Sequence, residues 1–409
     1  MSILYDLSIR IYYLGAFIFS FFNKKAHKWV KGQKDIFQIL KNESFENCKT
    51  AWFHAASLGE FEQGRPVIES FKKKYPDYKI IISFFSPSGY EVRKNYKNAD
   101  VICYLPIDTY ANAKRFIHIV KPDVVFFIKY EFWFNYLKIL YTNKIPTFLI
   151  SGIFRENQHF FKIYGFWFRK QLNHFNHFFV QNEASKSLLS SIGFENTTIS
   201  GDTRFDRVSQ IAENPKEFPL IRKFKDGRKI LLIGSSWQSD EEMVFDFIRK
   251  SNNEVKFIFA PHEVHEERIK HLKLLLPSNT VLFSDLNEDN CNEANILIIN
   301  NIGILSHLYQ YADIALIGGG FGKGIHNILE AATFGVPTIF GPNYQKFSEA
   351  RELIQLKGAF TFNNKIDFEN LTLDLLSSDR HYIKTKQICL NYIENKKGAT
   401  EIILNNIKI

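Results

Sequence analysis

ADIALIGGGFGKGIHNILEAATFGVPTIFGP, residues 312–342, decides how the rest of the chain is read. An apolar run enters three glycines, and the loop that follows carries Lys323 and Gly324. Asn327 then begins a helical stretch that holds Glu330 one turn in, before a second apolar run. Glycines let backbone approach a phosphate closely, Lys323 adds positive charge, and a helix N-terminus adds its dipole. Glu330, three residues past Asn327 and so on the same helix face, can accept hydrogen bonds from both hydroxyls of a ribose. These features predict a nucleotide site built on Gly320, Lys323, Gly324, Asn327 and Glu330. GGGFGKG is neither GxGxxG after a domain's first strand nor GxxxxGKS, so a Rossmann dehydrogenase and a P-loop ATPase both fit poorly.

Working outward, the same alternation of apolar run and helical period recurs along the chain. TAWFHA, KIIISFF, DVICYL, DVVFFI and PTFLIS occupy the first half; KILLIG, VKFIFA, NILIIN, DIALIG and VPTIFG occupy the second. Continuous apolar strands separated by helices predict parallel sheets covered on both faces. IAENPKEFPLIRKFKDG, residues 211–227, has two prolines, mixed charge and no strand signal, and reads as a linker. The expected organisation is an anchor over residues 1–30, an acceptor-binding α/β domain over 31–210, the linker, and a donor-binding α/β domain over 228–409 whose last helix can cross back. Two doubly wound domains would place the carboxyl ends of both sheets around one cleft, where ligands bind.

The 409 residues suit two or three domains at roughly 150 residues each. With 45% hydrophobic and 23% charged residues, the chain is neither disordered nor a polytopic membrane protein. The net charge of +9 is spread along the chain rather than gathered into a basic arm, so no nucleic-acid partner is indicated. Cys48, Cys103, Cys291 and Cys389 form no CxxC pair, which suggests neither zinc nor a disulfide framework.

IYYLGAFIFSFF, residues 11–22, lies between Arg10 and Lys24, Lys25, Lys28 and Lys31. Twelve residues fall short of the ~20 needed to cross a bilayer, and no small-residue cleavage site follows. The segment therefore reads as an interfacial or single-pass N-terminal anchor with the lysines on the cytoplasmic side, against the alternative of an amphipathic helix packed on the protein's own core. HFFKIYGFWFRKQLNHFNHFF, residues 159–179, interleaves aromatics with Lys162, Arg169 and Lys170 and reads either as core helix and strand or as a lipid-facing surface.

Chemistry is expected at the carboxyl ends of the strands. HAASLGEFEQGRP, residues 54–66, runs from a strand through a Ser/Gly turn into a helix. Glu60 there is either a first-turn carboxylate favoured by the helix dipole or a catalytic group, and Ser57 and Gly59 flank it as acceptor-binding candidates. SFFSPSGYE repeats the arrangement, with Ser86 and Ser88 as caps or as acceptor-binding hydroxyls. KYEFWFNY sets Glu131 among aromatics at the next strand end, where a carboxylate must be paired or perturbed. In SGDTRFDRV, Arg204 either holds an anionic group or forms an ion pair with Asp202 or Asp206. LIGSSWQSDEE offers Ser235 and Ser236 before a helix, and APHEVHEE places His262 after its strand. HEVHE has Glu266 where a zinc motif needs His, so no metal site is read there. No DxD triplet occurs, which leaves helix dipoles and basic groups to stabilise a leaving phosphate.

Taken in order, HAASLGE, SPSG, YEFWFN, VQNEASK, GDTRFD, GSSW, APHE, NIGIL and HNILEA, together with the N-terminal segment, make the chain resemble the Kdo transferases of lipopolysaccharide assembly. Those enzymes carry 3-deoxy-D-manno-octulosonic acid (Kdo) from its CMP ester to the lipid A precursor. The resemblance implies the two-domain GT-B fold, two Rossmann-like domains facing a cleft, an inverting reaction and no metal or other cofactor. It implies Glu60 as general base and Glu131 and Arg204 as transition-state stabilisers. It also implies Pro261, His262, Ile302, Gly303, Ile304, Asn327, Ile328, Leu329 and Glu330 as CMP-holding positions. The chain departs from the family pattern in having Arg204 for a lysine, KGIHN for RGGHN with Ile325 for a glycine, and IGIL for MGEL with Ile304 for a carboxylate. The implied partners are CMP-Kdo, the lipid A precursor lipid IVA and the cytoplasmic face of the inner membrane.

Two other readings compete. One is a different two-domain enzyme, such as a nucleotide-sugar epimerase or a transferase with another donor. The other is a non-catalytic basic protein of the membrane surface.

Overall fold

In the computed structural model, which describes residues 2–251 and 254–409, each apolar run becomes a strand of a wholly parallel sheet. The first sheet contains β1 (Lys49–Ala55), β2 (Tyr78–Phe84), β3 (Val101–Tyr104), β4 (Val124–Ile128), β5 (Thr147–Gly152), β6 (His177–Val180) and β7 (Thr197–Ile199), in the order β3-β2-β1-β4-β5-β6-β7. The second contains β8 (Lys229–Ser236), β9 (Val255–Pro261), β10 (Thr280–Leu282), β11 (Ile296–Ile298), β12 (Ile314–Ile317), β13 (Thr338–Phe340) and β14 (Ala359–Thr361), in the order β10-β11-β9-β8-β12-β13-β14. Strand order reverses between β1 and β4 in one sheet and between β8 and β12 in the other. At such switch points neighbouring helices leave on opposite faces and open a crevice beyond the strand ends.

The chain divides into two compact units. One runs to Arg207 and regains Lys397–Ile409; the other is Val208–Lys396. In the first unit, strand alternation sends Trp52 and Phe127 to one face and Phe53, Phe126 and Ile128 to the other, giving two core clusters. Helix Ala399–Asn406 closes the second cluster with Ile403 and Leu404. Asp206 holds its start, accepting from the Gly398 N–H at 2.5 Å and the Thr400 N–H at 2.7 Å. Residues 211–227, expected as a linker, include helix Pro219–Lys225, whose Ile221 and Phe224 are buried.

The N-terminal residues form two helices, Ser2–Phe19 and Lys24–Lys41, with Asn23 capping the second. Helix Lys24–Lys41 runs through the expected boundary at residue 30 and buries Trp29, Val30, Ile36 and Leu40 in the first unit's core. Helix Ser2–Phe19 is fastened to that unit by polar bonds: Tyr5 Oη donates to Asp108 Oδ2 at 2.7 Å, and Asn135 Nδ2 to Asp6 Oδ1 at 2.8 Å. Asp108 also accepts the Asn135 and Tyr136 N–H groups, and its burial pushes its pKa up to about 7. On another face of this helix Leu4, Leu7, Ile11, Leu14 and Ile18 are exposed at helical spacing. No described helix is long and apolar enough to cross a membrane. In the 159–179 cluster, Phe160, Leu172, Phe175, Phe178 and Phe179 are core, whereas Ile163, Tyr164 and Phe166 are exposed.

Candidate functional site

The switch point of the first unit gathers two of the expected catalytic residues. Glu60 sits in the first turn of helix Leu58–Lys74, directly after β1. One oxygen, Oε2, accepts the N–H of Ala56 at 2.7 Å and that of Ser57 at 3.1 Å. Oε1 has no hydrogen bond among the described residues. Burial, and after it the neighbouring Glu131 charge, raise the Glu60 pKa above the ordinary carboxylate value, against the pull of the Ala56 N–H. One oxygen of this side chain is thus occupied in capping the helix, and the other keeps its lone pairs.

Glu131 follows β4 and is buried. Its Oε2 accepts Trp133 Nε1–H at 2.5 Å and faces His54 Nε2 at 3.1 Å. His54, the last residue but one of β1 and fully buried, contacts Ser83 Oγ through Nδ1 at 2.8 Å, and Trp52 Nε1–H donates to the same hydroxyl at 2.8 Å. Trp52 can only donate, and the Ser83 hydroxyl has one proton of its own. Trp52 therefore donates to Ser83, and His54 Nε2–H to the Glu131 carboxylate, which can only accept, while Nδ1 lies within reach of both Ser83 Oγ and, at 3.1 Å, Ser83 O. His54 and Ser83 were not picked out by sequence reasoning, although His54 opens the HAASLGE stretch at a strand's carboxyl end.

Arg204 is held by Asp202, with Nε to Oδ2 at 2.8 Å, while Asp202 Oδ1 accepts the Arg204 N–H at 2.9 Å. Asp206, the other expected ion-pair partner, is committed instead to residues 398 and 400. Lys129, just after β4 with φ of 71°, has its pKa lowered by burial and then by the Arg204 charge, so two cations share this strand-end region. The hydroxyls of Ser86 and Ser88 pair with each other at 2.9 Å, and Ser86 caps helix Pro87–Arg93. The Ser86 N–H donates to Ala56 O at 2.7 Å. Ser57 is half-buried and Gly59 exposed on the turn before Glu60.

In the second unit the switch point lies between the loops after β8 and β12. Asp240, in the first turn of helix Gln238–Lys250, ties them together by accepting the Trp237 N–H at 2.9 Å and the Gly319 N–H at 2.8 Å. Its Oδ1 is buried without a hydrogen-bond partner among the described residues, and burial raises its pKa. The expected anion-accepting hydroxyls are differently employed: Ser236 donates to Glu241 Oε1 at 2.7 Å, while Ser235 takes a φ of 51° at the strand end. Pro261 pairs with Ser236 across β8 and β9, and the His262 N–H donates to Ser236 O at 2.9 Å. Trp237 and His326 each lie against His262, with ring centroids 4.6 Å and 4.5 Å apart, and Trp237 Nε1–H donates to His326 Nε2 at 3.2 Å, an aromatic cluster that sequence reading did not find.

The three glycines have partners within the chain. A Cβ on Gly318 would lie 2.3 Å from Ser235 O, one on Gly319 2.3 Å from Gly324 O, and one on Gly320 2.4 Å from the Gly341 N. Their side-chain-free surfaces thus serve packing of the β8, β12 and β13 loops. The helix expected from Asn327 is a single turn, Leu329–Ala332, with Ile328 and Leu329 buried. Asn327 accepts the Leu329 N–H and donates to Glu330 Oε1 at 3.1 Å. Lys323 is exposed and Gly324 takes a φ of 132°. Ile302 is exposed, Gly303 has a φ of 94° and Ile304 is buried, on the loop after β11, with β9 and β8 between it and β12.

Comparison with known proteins points to one family. Residues 31–207 match the family described as 3-deoxy-D-manno-octulosonic-acid transferase (kdotransferase). The chain is 27% identical to the 3-deoxy-D-manno-octulosonic acid transferase of Aquifex aeolicus over 83% of its own length and 91% of that protein. It is 25% identical to the protein of the same name from Rickettsia bellii, covering 98% of both. Among solved structures, UDP-GlcNAc 2-epimerase from Neisseria meningitidis, bound to UDP-GlcNAc, superposes with a TM-score of 0.61 at 16% identity, covering 87% of this chain and 98% of that one. That likeness concerns the fold alone: two Rossmann-like units with parallel sheets, as in proteins of the GT-B type.

Proposed function

This chain is a homologue of the Kdo transferases, and on that premise we propose that it is an inverting, metal-independent glycosyltransferase moving Kdo from CMP-Kdo to the lipid A precursor, lipid IVA. The observation that carries the reading is Glu60: a carboxylate at the switch point, anchored through Oε2, with no hydrogen bond to Oε1 among the described residues and its pKa raised. A general base needs such a combination of position and proton affinity. Oε1 takes the proton of an acceptor hydroxyl as that oxygen bonds to the anomeric carbon of Kdo. The bond to the CMP phosphate breaks on the opposite face, its electron pair leaves with CMP, and the anomeric centre inverts. Glu131, fixed by His54 and Trp133, and Arg204, fixed by Asp202, stabilise charge in the transition state.

The donor is assigned to the loops after β8, β9, β11 and β12 of the second unit. There the Trp237–His262–His326 cluster offers a ring on which a base can stack, the exposed Lys323 offers charge to the phosphate, and Asn327 and Glu330 offer polar groups to the ribose. The exposed stripe of helix Ser2–Phe19, with Lys24, Lys25, Lys28 and Lys31 beyond it, supports a helix lying in the anionic cytoplasmic surface of the inner membrane. Calorimetric titration tests the assignment of Glu60: Glu60→Gln should bind CMP-Kdo with the wild-type affinity while turnover falls by about 10²–10⁴-fold. Wild-type turnover in this variant would remove Glu60 from the mechanism.

A further inference from the structure

Between the two N-terminal helices and the loop after β2 lies an open apolar groove of about 570 Å³, within the range of roughly 300–1,000 Å³ common to small-molecule sites. Tyr12, Gly15, Ala16 and Phe19 form one wall, spaced three and four residues apart on helix Ser2–Phe19. Trp29 and Phe85 form the opposite side, and Lys25 stands among the lining residues. We propose that this groove holds an acyl chain of the acceptor lipid, so that the chain is read by the N-terminal helices while the sugar is presented to Glu60. The proposal rests on the function assigned above and adds a subsite to it.

Three observations within the first unit support this occupant. First, the groove and the base both hydrogen-bond to the backbone of Ala56. Ser86, in the groove lining, donates its N–H to Ala56 O, and the Ala56 N–H holds Glu60 Oε2. The Phe85 ring likewise lies 5.0 Å from Trp133, which donates to Glu131. The groove lining is therefore in direct contact with residues that hold both carboxylates in place. Second, the mouth has the charge a phosphorylated lipid headgroup needs: Lys25 lines it and Lys24, Lys28 and Lys31 lie on the same helix. Third, the wall is thinned at one point. Gly15 faces open space, with nothing within 4 Å of a Cβ built on it, beside the exposed stripe that includes Ile11, Leu14 and Ile18. A glycine in mid-helix is less stabilising than alanine, and here no packing contact requires it.

Gly15→Phe tests the proposal, because Gly15 lines the groove and a Cβ there meets no protein atom within 4 Å. KM for the acylated acceptor should rise at least about tenfold, the loss expected when contact with two or more methylenes is blocked. Turnover of a fully de-acylated, water-soluble acceptor should change by less than about twofold, and thermal stability should not fall. As a readout independent of catalysis, an acceptor carrying a diazirine in one acyl chain should label Tyr12, Phe19 or Phe85 of the wild type on irradiation, and this labelling should vanish in Gly15→Phe. Gly15→Leu provides the same obstruction with a stronger helix former. An unchanged KM, or labelling confined to Leu4, Leu7 and Ile11 on the outer stripe, would overturn the groove assignment. Failure of the wild type to modify either acceptor would overturn the functional reading instead, and labelling would still decide whether the groove binds the chain.

Discussion

Ser83 is the junction of the hydrogen-bond chain that fixes Glu131, and removing its hydroxyl has a calculable effect. In Ser83→Ala the indole N–H of Trp52, a residue with no solvent exposure, loses its acceptor at 2.8 Å. Leaving such a donor unsatisfied costs about 1–3 kcal/mol. His54 Nδ1 keeps the Ser83 carbonyl at 3.1 Å, and its Nε2 keeps the Glu131 carboxylate at 3.1 Å, so the loss falls on the Trp52 donor. The expected destabilisation of the first unit is about 1–3 kcal/mol, a fall of roughly 2–12 °C in its unfolding temperature. Thermal unfolding followed by tryptophan fluorescence measures it, combined in a double-mutant cycle with Trp52→Phe. Because the double variant strands neither partner, it should lose less than the sum of the single variants. A Ser83→Ala protein within about 0.5 kcal/mol of the wild type, or an additive cycle, would refute the network.

Three further outcomes follow from the same geometry. A general base with a raised pKa loses activity as pH falls through that value, and the Glu131 charge is one cause of the elevation; the acid limb of normalised kcat/KM should therefore move to lower pH in Glu131→Gln, and an unmoved limb would uncouple the two carboxylates. Asp108, with its pKa raised to about 7, holds its proton in the folded unit where the unfolded chain has lost it, so its contribution to stability declines as pH rises from about 4 to 7. The melting temperature of the wild type minus that of Asp108→Asn should accordingly shrink between about pH 4 and 7, whereas a pH-independent gap would contradict this. Gly320→Ala sets a Cβ 2.4 Å from the Gly341 N, and forcing backbone apart there should cost about 1–3 kcal/mol or more, read as a lower unfolding temperature of the second unit.

Long, central strands were legible because burial on both faces writes them as unbroken apolar runs, as in KIIISFF and DVVFFI. The outermost strands β7, β10 and β14 were not. Each has three residues and pairs on one side, too short to show a period and with little need of a continuous apolar run. Glu60 and Glu131 could be picked out because a carboxylate at a strand's carboxyl end is conspicuous. His54 and Ser83 were hidden because their role depends on register: β1 and β2 set them side by side, a pairing that neither run records alone. The glycine loop shows the opposite failure. Its composition announces close approach, but the partner approached is the chain's own backbone at Ser235, Gly324 and Gly341, which lie far apart from it or beyond its first turn in sequence. Asp240 and the Trp237–His262–His326 cluster are likewise products of loops meeting at a switch point.

The central claim is that Glu60 deprotonates a lipid acceptor so that Kdo leaves CMP for it. Mass spectrometry of the lipid after incubation of the purified protein with CMP-Kdo and lipid IVA tests donor, acceptor and base at once. Lipid heavier by whole Kdo residues is expected with the wild type, and unmodified lipid with Glu60→Gln or with a UDP-sugar in place of CMP-Kdo. Unmodified lipid from the wild type, or the same product at the same rate from Glu60→Gln, would contradict it.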